Sequence, residues 1–157
     1  AVHAALAPED ESSVPWLLTG TVLMVQQAAT LALSEAGAER PVMPGPGELV
    51  ARVSDPDHLP QPYTAPLKPE ELRALDVVIA ARNRVMHPHP GGLDLNAAAL
   101  PGGLVVAAKL VRHLILTQPA RPSMVERAQA ASIGESLRLL ETSVDFWRTV
   151  IGEQPAL

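Results

Sequence analysis

The chain has 157 residues, a net charge of −5 and 47% apolar residues, with aromatics making up 3%. That length suits one domain with a real core, and the core must be built from Ala, Leu, Val and Ile. The lack of cysteine excludes disulfides and thiolate metal sites. The acidic balance gives no overall attraction to nucleic acid, so any RNA contact must come from a local basic patch.

Residues 1–13 are Ala-rich and acidic and read as a short lead-in. Glu9, Asp10 and Glu11 stand before the first apolar run, where a targeting peptide would carry basic residues. A cytoplasmic location is therefore expected. Ser12 and Ser13 suit an N-cap and Pro15 a first turn, so a helix is expected over about 14–36, closed by Gly37. Its main stripe reads Leu17, Gly20, Met24, Ala28 and Leu31. Val14 to Leu33 carries no charge, which raises a membrane question. Thr19, Thr21, Gln26, Gln27 and Thr30 lower its hydropathy, and a buried bundle helix is the expectation.

Seven prolines between Pro41 and Pro66 forbid a long regular element over 38–68. Within it, Gly47 to Val53 can form a short helix with Leu49, Val50 and Val53 facing inward. The rest is expected to be a surface loop packed over one face. The helices on either side need one another to bury their stripes, so residues 1–157 are taken as a single domain.

A second long helix is expected over about 69–87, with Glu70 and Glu71 suited to the positive end of its dipole. A third is expected over about 97–117, starting at an Asn96 cap or after Pro101. Its stripe is Leu100, Leu104, Ala108, Val111 and Ile115, broadened by Leu110 and Leu114. Lys109, Arg112 and His113 argue against a membrane span here. A fourth is expected over about 122–151, with Ser123 and Glu126 spaced as a capping box. Ile133, Leu137, Leu140, Val144, Trp147 and Ile151 form its heptad-like seam. The expected fold is all-α: a four-helix up-and-down bundle with a long Pro-rich connection between its first two helices. Its core should include Leu31, Leu75, Ile79, Leu104, Val111, Leu137 and Leu140.

The second helix carries the chemistry. Its apolar stripe runs Leu72, Leu75, Ile79 and Met86, and the stride between the last two lands on Arg82. A desolvated guanidinium is costly unless paired. Arg82 therefore either packs its stem with the head in water or meets an anion, for which its fork of donors is suited. Asn83 and His87 lie four apart on one helical face. Pro88 disfavours helix at His87 and puts it at the helix end. There His87 is either a cation favoured by the dipole or a group able to exchange protons near neutrality.

Arg82-Asn83-Arg84-Val85-Met86-His87 resembles the Arg-polar-x-x-x-His motif of the HEPN superfamily, the higher eukaryotes and prokaryotes nucleotide-binding domains. The order of long helices over roughly 14–151 is similar too. The resemblance implies an all-α bundle and a metal-independent endoribonuclease of toxin or defence type. Arg82 and His87 would be its catalytic pair, with Asn83 and Arg84 as substrate contacts. It also implies RNA or a nucleotide as partner, a homodimer with paired motifs facing one cleft, and an antitoxin protein as a further partner. The alternative is a catalytically silent HEPN-like bundle that binds a nucleotide or a protein, and a third reading is an unrelated structural bundle.

On a regular helix, positions five apart differ by about 140° in direction, from ~100° per residue. Arg82 and His87 thus need a distorted helix end or a second copy of the chain to form one site, and the resemblance favours the second copy. A surplus of apolar surface, notably on both faces of the third helix, points the same way. No cofactor or metal is expected: His87, His89 and Asp94 lack a third ligand at diagnostic spacing. Tyr63, in the loop, is a better base-stacking candidate than Trp147, which belongs to the seam.

Overall fold

Uncharged, Ala- and Leu-rich segments fold as helices here, and no strand occurs among the described residues, 13–37, 44–87, 96–117 and 127–153 of a computed structural model. These described residues form five α-helices rather than four: α1 (Ser13–Glu35), α2 (Pro46–Val53), α3 (Pro69–Met86), α4 (Leu100–Val111) and α5 (Arg127–Glu153). The fifth is the short Pro46–Val53 segment, whose Leu49, Val50 and Val53 are buried as their spacing requires. The expected Ser123–Glu126 capping box lies outside the described residues.

The third long segment is not a uniform helix. A 3-10 turn at Ala97–Ala99 leads into α4, which widens into a π-helical turn at Arg112–Leu116. The Thr117 N–H reaches back to the Arg112 carbonyl at 3.0 Å, five residues away. In that turn Arg112 meets Glu141 of α5 at 2.8 Å, and a His113 ring nitrogen lies 2.9 Å from the Tyr63 carbonyl.

Nine of the 12 residues of α4 are buried, and they are covered within one chain by α1, α3 and α5. The surplus of apolar surface expected on this helix is therefore absent. α3 and α4 form the most extensive helix pair. Gly103 makes that closeness possible: a Cβ there would stand 2.2 Å from the Ala74 carbonyl oxygen and 2.5 Å from Val78 Cγ2.

The buried face of α1 is rotated from the expected one. Leu17 and Ala28 of the expected stripe are buried, but Leu18, Val22, Val25 and Ala29 are the fully enclosed residues, Gly20 is exposed, and Leu31 and Met24 are half-buried. A helix with no charged residue before Glu35 offers no polar face to fix the phase of its pattern. Leu75, Ile79, Leu104, Val111, Leu137 and Leu140 are buried as expected.

The 54–68 loop packs onto this frame. The Ala65 N–H bonds the Val53 carbonyl at 2.7 Å, the Thr64 hydroxyl donates to the Leu59 carbonyl, and Leu59 is buried. By length and composition alone, Val14–Glu35 and Ala97–Leu116 are each long and apolar enough to cross a membrane. Buried core helices pass the same test, and 61% of the second window is buried within the fold.

Candidate functional site

α3 ends where the sequence requires. His87 leaves the helical region at φ −127°, ψ 76°, and its N–H closes the last turn on the Asn83 carbonyl at 3.0 Å. The imidazole is exposed, as are Asn83 and Arg84.

Arg82 behaves differently. It continues the buried row of Leu75, Val78 and Ile79 and is itself half-buried. Its Nη1 donates to Asn83 Oδ1 at 3.1 Å, while its buried Nε–H has no acceptor among the described residues. The stem is packed and the head is held by a neutral amide, with no carboxylate bound to it in the described structure. Such a guanidinium keeps its full charge available to an anion. The helix end itself presents carbonyls and partial negative charge, so a phosphate here must be held by side chains. Arg82 and His87 do not bond one another, as their angular separation requires.

A contact with α1 completes the neighbourhood. Thr19, near the start of α1, points its hydroxyl at Met86 Sδ across 3.9 Å. The first turns of α1 thus lie beside the last turn of α3. Trp16 stands one turn before Thr19 on α1. Trp16 is 76% exposed and Met86 50%. The sequence reading missed Trp16. Its signal was an aromatic one residue off the expected stripe in a chain with two tryptophans.

The two aromatics weighed from sequence lie elsewhere. Trp147 is half-buried against the core. Tyr63 accepts from His113 beyond the far end of α4, and the Lys109–Glu71 pair at 2.6 Å ties that region to the beginning of α3, not its end. Tyr63 is thus separated from the motif by most of the length of α3, roughly 25 Å at 1.5 Å per residue. His89 and Asp94 lie outside the described residues. Among the described residues no three His, Asp or Glu side chains gather as a metal site.

A concavity of about 240 Å³ opens between α1 and α5, floored by Val111 and Ile115. Its polar groups are Gln27, Ser132 and Ser136, none of which titrates in the physiological range, so it has no acid–base chemistry to offer. No family model, curated protein or solved structure matches the chain.

Proposed function

We propose that the chain is a HEPN-like, metal-independent endoribonuclease of toxin or defence type, acting in the cytoplasm through Arg82 and His87. The four long helices are read as an up-and-down bundle with α2 as an addition to it. The observation that carries the reading is Arg82: a guanidinium set into an apolar row, held among the described residues by a neutral amide and placed at the same helix end as an exposed imidazole.

The chemistry needs three things. A base removes the proton of a ribose 2′-hydroxyl, and the oxygen attacks the adjacent phosphorus. An acid protonates the departing 5′-oxygen, leaving a 2′,3′-cyclic phosphate and a 5′-hydroxyl. A cation stabilises the charge that grows on the phosphoryl oxygens. His87 serves the proton transfers, Arg82 the charge, and Asn83 and Arg84 the placement of the strand. Because Arg82 and His87 diverge on α3, a homodimer supplies the second motif, and an antitoxin protein would act by covering this end.

The test is degradation of RNA by the purified protein in chelator, beside Arg82→Ala and His87→Ala. Both variants should lose at least about a hundredfold in rate, the scale of a lost acid–base or charge-stabilising group. Equal degradation by all three proteins would remove the catalytic assignment. A net charge of −5 favours a second reading, a silent bundle binding a nucleotide or a protein. That reading predicts nucleotide binding without turnover.

A further inference from the structure

We infer that Trp16 is a base-stacking platform beside the motif, and that the strand it receives is single-stranded RNA. This role rests on the ribonuclease reading and adds the conformation of the substrate to it.

Three observations converge. Trp16 is 76% exposed, the most exposed large apolar side chain in the described structure, although its neighbours Leu17 and Leu18 are buried. It needs no core contact that a smaller or polar residue would lack. The Thr19–Met86 contact sets the start of α1 against the end of α3, and Trp16 stands one turn before Thr19 on α1. The charge of this end then selects the partner. α1 carries no acidic residue before Glu35, and α3 carries none after Asp76, while Arg82, Arg84 and His87 occupy its last turns. On a chain of net charge −5, the start of α1 and the end of α3 thus bring cations and an exposed indole together with no carboxylate of their own.

An indole face accepts any nucleobase, and cations beside it hold the phosphates. That is the combination by which proteins grip single strands without reading sequence. A base stacked on Trp16 must be unpaired, so a duplex cannot use it. The adjoining phosphate is then placed within reach of the motif, and the 2′-hydroxyl is presented where His87 can take its proton. Trp16 touches the substrate base and not the reacting atoms.

The test uses a labelled 2′-O-methyl hexanucleotide, which has no free 2′-hydroxyl and is not cut, and an abasic strand with the same number of phosphates. Binding is followed by anisotropy and by tryptophan fluorescence. Wild type should bind the base-bearing strand with quenching that disappears in Trp16→Phe difference measurements against Trp147, the other indole. Trp16→Ala should weaken binding roughly 5- to 150-fold, the range for one lost stacked base. Trp16→Phe should recover much of that affinity, and the abasic strand should bind wild type and Trp16→Ala alike. In cleavage, the loss should fall on KM more than on kcat.

Tight binding without quenching, or unchanged in Trp16→Ala, overturns the platform and leaves the ribonuclease reading standing. No binding of either strand overturns both. A Trp16→Ala protein that binds RNA normally but sediments as a smaller species overturns the platform by making Trp16 a protein–protein contact.

Discussion

Arg82 and Gly103 show how much a single position decides here. Arg82 occupies the place of a leucine in the α3 stripe, and that substitution was visible in the order of residues alone. Its consequence, a buried Nε–H beside Nη1 held by Asn83, needed coordinates. Gly103 is the reverse case. In sequence it is one of two adjacent glycines near a helix start, and nothing separates it from Gly102. In the fold, a Cβ at Gly103 would collide with the Ala74 carbonyl, whereas one at Gly102 would meet nothing within 4 Å. Gly103→Ala should therefore destabilise by about 1–3 kcal/mol or more through overpacking, despite the helix preference for alanine. Gly102→Ala should be neutral or stabilising by up to about 1 kcal/mol. Urea melts of both variants check this, and equal effects would mean that α3 and α4 do not approach at Gly103. Trp16 was illegible for a related reason. Exposure of an apolar side chain depends on the phase of its helix, and the phase of α1 could not be read.

At the scale of elements, legibility followed charge. α3 and α5 alternate apolar and charged residues, and most of their buried faces matched their patterns: Leu75 and Ile79 on one, Leu137, Leu140 and Val144 on the other. Leu72 is half-buried and Met86, the last of the expected α3 stripe, is exposed. α1 has no charge to contradict a wrong rotation, so its stripe was displaced and Leu31 was placed deeper than it lies. Leu104→Ala, at a fully buried site, should cost about 2–5 kcal/mol. Leu31→Ala should cost clearly less, and a larger loss at Leu31 would restore the original phase.

Cross-helix ion pairs add smaller increments. The Lys109 ammonium, 2.6 Å away, and then the Lys68 N–H hold the Glu71 carboxyl below its ordinary value of 4.5. A carboxyl depressed in the folded state stabilises above the unfolded-state value, and the contribution is lost as pH falls through the lower, folded value. Wild type should exceed Glu71→Gln in stability at neutral pH by no more than about 1 kcal/mol, since the pair is partly exposed. The two should converge in acid. A gap that widens in acid would contradict the sign.

For the whole molecule, the open question is what completes the motif. One argument for a second copy is gone, because α4 is covered within its own chain. Arg82 and His87 stand five apart, about 140° in direction on a regular helix, and His87 has left helical geometry at φ −127°, ψ 76°, so one chain could aim both at one phosphate only through that distorted end. A two-fold pairing of this end can do so too, since such an interface sets the same patch against itself. The apolar surface to seed it is present: Met86 is 50% exposed, and Leu23, one turn along α1 from Thr19, is 45% exposed. Two copies of Arg82 brought to the axis would repel until an anion lay between them. The dimer should therefore be weak in plain buffer and tighten with phosphate, which stabilises by mass action whatever state binds it. Sedimentation at several protein concentrations, with and without phosphate, reads this directly, and Leu23→Glu should shift the species toward monomer without unfolding it. Arg82→Ala should remove the dependence on phosphate while leaving, or even strengthening, association in its absence. A monomer at every concentration would leave the fold intact and end the composite site, forcing catalysis onto a single Arg82–His87 pair.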